Sequence, residues 1–339
     1  MQGRDRVAGN RASRRRSCIR APRPTMDLDD RSRCAPASRR SLQSVLAEAT
    51  PTNELEPRPL DAPMQMLFTS GTTGHPKAIL APHGRFAFAA SLGESIGYRS
   101  GDRLYTGLSL THANAQFSTL GNSLRGQLPG VFSKQFTKSR LWEIVACYGC
   151  TTFNLLGGMT IAIFAEPPGR SDGAHNVRFV LSAGMPASMW RAFEERFGVA
   201  IFEFFGTAEG GLTLNPPGIG PVGSIGKALS GTVCEILDEA MRPVPAGELG
   251  EICFRNADGT VPPVNYFGAK EASEQKTRGG WFHSGDIGWK DEAGWLYFSH
   301  RAGYSIRRNG DFIDPRAIET VIATIPDVDD VLSMVSRRR

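Results

Sequence analysis

The chain has 339 residues, of which 40% are hydrophobic and 22% are charged, and its formal net charge is +5. This length accommodates about two domains with a sizeable core, and the composition is that of a soluble globular protein. The sequence contains no run of 18 apolar residues and no basic segment leading into an apolar one at its start. It therefore predicts neither a transmembrane helix nor a signal peptide.

The positive charge is concentrated in the first 45 residues, which contain 12 Arg, no Lys and 4 Asp. The remainder carries a net charge of −3, so the overall basic charge does not predict nucleic-acid binding by the globular part. Residues 1–60 combine high charge with few large apolar side chains, and we predict a disordered basic leader followed by a Pro-rich linker. An organelle transit segment is the alternative, but the four Asp and the lack of a sustained apolar face argue against it.

Strands and helices alternate from Met64 onward. Predicted strands cover residues 64–68, 103–110, 151–155, 178–182 and 199–205, and predicted helices cover 82–96, 140–148 and 188–197. Ser139 is the expected N-cap of the second helix, and Gly198 is expected to close the third. This strand–loop–helix order predicts a layered α/β domain with ligand-binding loops at the ends of its strands.

The character of the sequence changes after Gly211. Residues 222–259 are punctuated by Gly and Pro, and two short candidate strands at 232–237 and 249–255 predict an antiparallel or barrel-like element. A last helix is expected over residues 317–325, starting near Pro315.

The stretch from Thr69 to Lys77 concentrates hydroxyl residues, two glycines and a lysine between a predicted strand and a predicted helix. Such a loop exposes backbone N–H groups and a positive charge, which are the groups needed to hold a polyphosphate. It is not the common P-loop, because Gly71 and Gly74 lack the required spacing. A solvated polar turn is the alternative interpretation.

Six cysteines are scattered along the chain, and Cys147 and Cys150 form a lone CxxC. A zinc site requires a second pair of ligands at fixed spacing, and the sequence shows none. Reduced, structural cysteines in a cytosolic protein are the simpler interpretation, so we expect a cytoplasmic location.

Five motifs in one order resemble the adenylate-forming superfamily of acyl-CoA synthetases, luciferases and adenylation domains. They are Thr69–Lys77, Phe204–Gly210, Gly247–Ile252, Gly280–Asp286 and Tyr297–Arg301. The sequences of the later motifs are most similar to those of acyl-CoA and carnitine-CoA-type ligases. The resemblance implies the α/β fold of that superfamily: an AMP-binding large domain over 61–301, with a β-barrel-like element, and a small α+β domain over 302–339.

The resemblance also implies the substrates ATP, CoA and a small-molecule carboxylate, with Mg²⁺ as cofactor. The nucleotide-binding residues that it implies are Thr69, Ser70, Gly71, Thr72, Thr73, Gly74, Lys77, Gly184, Phe205, Gly206, Thr207, Asp286 and Arg301. Within this set the 69–77 loop closes over the β- and γ-phosphates, Asp286 accepts from the ribose hydroxyls, and Arg301 contacts ribose or phosphate.

The resemblance implies that three residues act in the chemistry. Lys77 supplies charge as pyrophosphate leaves, Glu209 holds Mg²⁺ against the α-phosphate, and His112 gates the carboxylate substrate. Two of them also have an ordinary interpretation: Glu209 as a surface acid and His112 as a structural histidine. The same holds for Asp286 as a turn residue and Arg301 as a salt-bridge partner.

The chain departs from the family pattern at several points. Phe205 replaces a Tyr and loses its hydroxyl, and Ala208 replaces a Thr. Gly303 replaces the charged hinge residue of the small domain. About 60 residues precede the signature loop where the family has well over a hundred, and the sequence ends before the family's later catalytic lysine, so we expect a chain truncated at both ends.

Two functions are compatible with these features. The first is ATP-dependent activation of a carboxylate followed by thioester formation with CoA. The second is a non-catalytic remnant or pseudoenzyme that at most binds nucleotide, which the expected truncation favours. A third, an adenylation domain that feeds a carrier protein, lacks an adjoining carrier segment in this sequence.

Overall fold

The structure is a computed structural model that describes residues 47–48, 57–69, 77–302, 306–308 and 311–313, together with 318, 321–322, 325 and 328. Its contacts divide the chain into two units, Met1–Pro57 and Arg58–Arg339. Most of the predicted basic leader, the hinge position Gly303 and most of the predicted last helix lie outside the described residues.

The second unit contains both strands and helices. The strands are β1 (Pro63–Thr69), β2 (Lys77–Pro82), β3 (Leu104–Thr106), β4 (Gly130–Phe132), β5 (Thr152–Leu156), β6 (Phe179–Ala183), β7 (Ala200–Gly206), β8 (Leu212–Asn215), β9 (Lys227–Ala228), β10 (Thr232–Leu237), β11 (Gly250–Asn256), β12 (Phe282–Lys290), β13 (Leu296–Arg301), β14 (Ile306–Arg308) and β15 (Asp311–Ile313). The α-helices are α1 (His83–Ala90), α2 (Gly93–Ile96), α3 (Asn122–Gly126), α4 (Leu141–Cys147), α5 (Gly157–Ala165), α6 (Ala187–Phe197) and α7 (Lys270–Lys276). A π-helix covers Ala115–Gly121, and 3₁₀ turns cover Lys138–Arg140 and Arg278–Gly280. None of the helices in the described ranges combines the length and apolar character that a membrane span requires.

Seven strands form the main sheet in the order β4-β3-β5-β6-β7-β8-β9. The pairings from β4 through β7 are parallel, whereas β8 and β9 pair antiparallel with their neighbours. Central strands of a parallel sheet are covered on both faces, and β5 and β6 are accordingly buried at nearly every position. The carboxyl ends of β5, β6 and β7 therefore lie along one edge of the sheet.

Helix α6 packs its aromatic face against the main core. Trp190, Phe193 and Phe197 are buried there with Trp142 of α4, and burying each such side chain contributes about 1.5–3 kcal/mol. The helix ends at Gly198, which adopts a φ of 64° and donates its N–H to the Glu194 carbonyl. A left-handed closing residue of this kind is the position that glycine fills at least cost.

A buried ion pair joins the amino-terminal ends of three strands. Arg178 donates from Nε to Oδ1 of Asp102 at 3.2 Å and from Nη2 to Oδ2 at 2.5 Å. Thr151 Oγ1 and the Arg99 N–H also donate to this carboxylate, at 2.8 and 2.9 Å. Burial acts to raise the pKa of Asp102, but these hydrogen bonds outweigh it and hold the pKa below its usual range.

A second sheet is antiparallel, with the order β10-β11-β12-β13. One face carries Ile236, Ile252, Phe254 and Phe282, which form a core with Leu67 and Ile79 of the first hairpin and with other residues. This sheet confirms the antiparallel element that the Gly/Pro-punctuated sequence predicted.

The two sheets are joined through a short backbone crossing at Gly226. The Ile225 N–H donates to the Leu296 carbonyl at 2.8 Å, and the Leu296 N–H donates to the Gly226 carbonyl at 3.0 Å. Gly226 has a φ of 95°, and a Cβ built on it would lie 2.2 Å from the Leu214 carbonyl. Only glycine permits this approach of residue 226 to β8, while the same residue pairs with Leu296 at the start of β13.

Strands β1 and β2 form a separate antiparallel hairpin whose last pair is Thr69 with Lys77. A short segment pairs with β2 on its other side: the Leu80 N–H donates to the Asn265 carbonyl, and the Phe267 N–H donates to the Ala78 carbonyl, both at 2.8 Å. Tyr266 is thereby held beside the first residues of β2.

The predicted α/β class is confirmed, and most predicted elements are present within one or two residues of their expected bounds. The predicted helix over 82–96 is two helices, α1 and α2. The prediction that Ser139 caps α4 was wrong. Ser139 lies within a 3₁₀ turn, and Arg140 stands at the N-cap without a side-chain capping bond.

Candidate functional site

The candidate site lies where β6 and β7 end side by side. Because these strands are parallel, the loops that follow them leave the same edge of the sheet. Gly184 follows β6 and Thr207 follows β7, so two of the predicted nucleotide-binding segments are neighbours.

The loop after β7 is a tight turn. The Thr207 N–H donates to the Gly210 carbonyl at 3.2 Å, and Thr207 Oγ1 donates to the same oxygen at 2.8 Å. Arg85, in the first turn of α1, donates to the carbonyls of Glu209 at 2.6 Å and Thr207 at 3.1 Å. Burial lowers the pKa of Arg85 to about 10, against the opposing effect of Glu209. The Thr207 hydroxyl is therefore engaged within the turn, and the backbone of the turn is fixed from α1.

Glu209 is buried, with an exposed fraction of 8%. The Tyr266 hydroxyl donates to its Oε1 at 2.7 Å, and burial together with the charge of Glu209 raises the pKa of Tyr266. The Lys77 Nζ lies 5.5 Å from the centre of the Tyr266 ring, within range of a cation–π interaction. Three segments that are distant in sequence thus bring the predicted lysine and the predicted metal-binding carboxylate to one aromatic side chain.

The loop from Thr69 to Lys77 connects strands β1 and β2. Thr69 and Lys77 form its base. Five of the predicted phosphate-binding residues lie outside the described residues, namely Ser70, Gly71, Thr72, Thr73 and Gly74.

Asp286 and Arg301 form a cross-strand pair on β12 and β13. The Arg301 Nε lies 3.9 Å from Oδ1 of Asp286, and only 8% of the Asp286 side chain is exposed. The two predicted ribose-site residues are thus adjacent, and the salt-bridge interpretation of Arg301 describes the same contact. This carboxylate also lies in the electrostatic neighbourhood of Lys276, as does Glu209.

Phe205 and Gly206 are the last two residues of β7. The Phe205 ring stacks on Phe254 with centroids 6.2 Å apart and contacts Phe298 at 6.5 Å. The ring is half-buried, and these contacts hold it at the strand end from the side of the second sheet.

Gly184 belongs to a loop held by a buried acid. Its φ is 98°, and its N–H donates to Oε1 of Glu203, to which the Met185 N–H also donates at 3.2 Å. Burial raises the pKa of Glu203 to about 8, with the hydrogen bonds from the loop acting in the opposite direction. The loop after β6 is therefore tied to strand β7 through this carboxyl group.

His112 is exposed on the turn that follows β3, and its Nδ1 accepts the Asn114 N–H at 3.1 Å. Its described hydrogen bond is local and does not reach Lys77 or Glu209. Its predicted role toward the carboxylate substrate stays a prediction.

Sequence reasoning missed four residues that organise this region: Arg85, Glu203, Tyr266 and Lys276. Each is an ordinary residue in its local pattern, and its partner is between 7 and 124 positions away. The one available signal was Arg85, a charged residue directly after the loop and strand that carry Lys77.

One cluster of potential metal ligands among the described residues lies on the other face of the second sheet. The ligand atoms of Glu251, Cys253 and His283 lie within 4.8 Å of one another. Glu251 accepts from His283 Nδ1 at 2.7 Å and from the Gly285 N–H at 3.0 Å, and His283 Nε2 contacts the Arg278 carbonyl at 3.2 Å. These polar atoms pair with one another and with the backbone, so we assign the cluster a structural role.

Comparison with known proteins identifies the family. The sequence model of a family described as AMP-binding enzyme matches residues 9–261. The sulfoacetate–CoA ligase of Cupriavidus necator is 32% identical over 85% of this chain and 57% of its own length. A crotonobetaine/carnitine–CoA ligase of Escherichia coli is 31% identical over 81% of this chain and 54% of its own length.

Solved structures share the fold. An anthranilate CoA ligase in complex with anthranoyl-AMP superimposes with a TM-score of 0.77 at 23% identity, over 88% of this chain and 58% of its own. The O-succinylbenzoate coenzyme A synthetase of Bacillus subtilis, in complex with ATP and a magnesium ion, gives a TM-score of 0.71 at 26% identity, over 85% and 60%. The chain thus spans between half and two thirds of the length of these relatives.

Proposed function

Because the chain belongs to the AMP-binding enzyme family, we propose that it activates a small carboxylate with ATP and transfers the acyl group to CoA. The observation that carries this proposal is the convergence of Lys77 and Glu209 on Tyr266, at the edge where β6 and β7 end. A cation at the base of a Gly- and hydroxyl-rich loop and a buried carboxylate are the groups that a polyphosphate and its metal ion require.

We assign the nucleotide to the space between this convergence and the Asp286–Arg301 pair. Lys77 and the loop it ends would contact the β- and γ-phosphates, and Asp286 would accept from the ribose hydroxyls. Gly184 and Phe205, which lie on the neighbouring strand ends, would flank the adenine.

Glu209 fits a role as a magnesium ligand, because Mg²⁺ uses one or two carboxylates together with phosphate oxygens and water. The Tyr266 hydroxyl fixes the orientation of this carboxylate at Oε1. Bound there, Mg²⁺ would supply positive charge beside the α-phosphate.

The reaction has two parts. A substrate carboxylate oxygen forms a bond to the α-phosphorus while the bond from that phosphorus to the departing pyrophosphate breaks. The CoA sulfur then bonds to the acyl carbon, its proton passes to solvent, and AMP leaves. Lys77 stabilises the charge that develops on pyrophosphate, and Asp286 holds the nucleotide in line.

Carboxylate-dependent exchange between ATP and labelled pyrophosphate tests the first part directly. We expect exchange by the full chain with at least one acid from a panel of small carboxylates, and a loss of roughly 10²–10³-fold in Lys77→Met and in Glu209→Gln. Lys134→Met, which alters an exposed lysine outside the site, is the matched control. A nucleotide-dependent thermal shift without exchange would instead support nucleotide binding without turnover.

We further propose a cytoplasmic location. Cys150, Cys234 and Cys253 are thiols, as expected in a reducing compartment. CoA-thioester formation would likewise draw on the ATP and CoA of the cell interior.

A further inference from the structure

Strand β12 bulges away from β11 over residues 284–286, so that Asp286 is the last residue of the bulge. Cys253 pairs with His283 and Glu251 pairs with Ile287, so three residues of β12 lie opposite the single residue Ile252. Bulges of this kind re-aim a side chain, and they leave backbone groups that the ladder cannot satisfy.

Lys276, the last residue of α7, satisfies two of those backbone groups by hydrogen bonding. Its Nζ donates to the carbonyls of His283 and Ser284, both at 2.9 Å. The same amine lies 5.7 Å from the centre of the Phe282 ring. Charge-assisted bonds to two successive carbonyls clamp the bulge from the side of α7.

The turn is also held from its other side. The Gly285 N–H donates to Oε1 of Glu251, and the Asp286 N–H donates to the Ser284 hydroxyl, both at 3.0 Å. Gly285 adopts a φ of 80°, and a Cβ built on it would lie 3.5 Å from the Lys276 Nζ. These hydrogen bonds therefore fix the backbone conformation at Asp286 and, with it, the direction of the bond from its Cα to its Cβ.

We propose that Lys276 is a positioning residue for the ribose of an adenosine nucleotide: by clamping residues 283–286 it holds the Asp286 carboxylate toward the two ribose hydroxyls. A carboxylate is acceptor-only and can take both hydroxyls of a cis-diol at once, provided that its orientation is fixed. This inference rests on the proposed function, in which Asp286 binds the ribose.

The electrostatics agree with a role inside the site. Burial lowers the pKa of Lys276, and the positive charge of Arg301 acts in the same direction. The negative charges of Glu209, Glu251 and Asp286 oppose that shift. The amine therefore lies in the electrostatic neighbourhood of Glu209, Asp286 and Arg301, three charged residues of the candidate site.

The test compares two ligands in the full chain: AMP and 2′,3′-dideoxy-AMP, which lacks the hydroxyls. For the wild type we expect AMP to bind on the order of tenfold more tightly than the dideoxy compound. In Lys276→Met we expect AMP affinity to fall to the level of the dideoxy compound, whose own affinity stays unchanged. Lys276→Arg keeps the charge and is expected to retain part of the preference for AMP.

Lys270→Met is the matched control, because Lys270 begins the same helix with 90% of its side chain exposed. It should behave as the wild type. If the ratio of AMP affinity to dideoxy-AMP affinity is unchanged in both Lys276→Met and Lys276→Arg, the inference is overturned and the proposed function remains intact. This holds whether the two affinities stay as in the wild type or fall by the same factor. A wild-type chain that binds neither ligand would overturn both.

Discussion

The Glu209 carboxylate shows how a single side chain is oriented by residues far from it in the sequence. Its backbone is fixed by Arg85 and its Oε1 by the Tyr266 hydroxyl. Such an acid is oriented before any ligand arrives, so little rotamer entropy is lost when a metal ion binds. The tyrosine therefore matters through the acid that it holds.

Replacement of Tyr266 by Phe removes this bond while keeping the ring beneath Lys77. We expect the Mg²⁺ concentration for half-maximal pyrophosphate exchange to rise about tenfold, as is typical when a partner of a metal ligand is lost. Tyr297→Phe removes a hydroxyl that contacts Asp291 at 3.3 Å and should leave the Mg²⁺ requirement unchanged. An equal Mg²⁺ requirement in Tyr266→Phe would mean that the hydroxyl does not orient the acid.

Among single residues, those that belong to a motif could be predicted from the sequence, whereas those that support the motif could not. Lys77 and Glu209 stand in recognisable loops, and both lie at the site. Tyr266 and Lys276 stand in segments with no chemical pattern of their own. Their importance comes from a strand pairing and a bulge that bring them to distant partners, and local sequence does not encode either.

Secondary-structure elements follow the sequence where one periodicity dominates. Helix α6 and strand β10 match their predicted bounds closely, because their apolar spacing and the closing Gly198 are local signals. The π-helix at 115–121 was not predicted. Its wide turn continues into Asn122, whose Nδ2 donates to the Phe117 carbonyl at 2.9 Å, a contact that depends on the folded backbone.

Gly226 carries the junction between the two sheets, and we expect Gly226→Ala to lower the free energy of unfolding by about 3 kcal/mol or more. The added Cβ would collide with the Leu214 carbonyl, and the positive φ adds strain. Gly218→Ala separates the two effects, because Gly218 also has a positive φ, of 72°, but nothing lies within 4 Å of its Cβ position. In chemical denaturation, the free energy of unfolding of that variant should be lower than that of the wild type by only about 1 kcal/mol. Equal losses would show that strain, and not the collision, decides the effect.

For the whole molecule, the Asp102–Arg178 pair links stability to pH. The pKa of Asp102 is lower in the folded state than in the unfolded chain, where it is about 3.9. Its contribution is therefore present above about pH 4 and is lost as the pH falls through the folded-state value. Asp102→Asn should cost roughly 2–4 kcal/mol at neutral pH because it leaves a partly buried guanidinium without its counter-charge.

Urea denaturation at several pH values tests this. The difference in the free energy of unfolding between the wild type and Asp102→Asn should become smaller as the pH drops below about 4. Asp61→Asn is the control, because Asp61 is an exposed acid on a turn before β1. It should have little effect at any of these pH values. A difference for Asp102→Asn that is constant with pH would contradict the proposed linkage.

The α/β class was predictable from the alternation of strands and helices that begins at Met64, and the antiparallel sheet from the change in sequence character after Gly211. The order of strands in the main sheet was not, since parallel pairing is set by packing across distant segments. The register of β12 against β11 was equally hidden, and it decides where Asp286 lies.

We expect the contact of Arg85 with the loop after β7 to form late in folding. Its two hydrogen bonds span 124 and 122 positions in sequence, and the bond from Tyr266 to Glu209 spans a further 57. Closing such long loops is slow relative to forming neighbouring strands and helices. During synthesis the central strands therefore have time to assemble before Tyr266 has left the ribosome. The candidate site, which needs Tyr266 beside Glu209, is accordingly expected to be among the last parts of the fold to be completed.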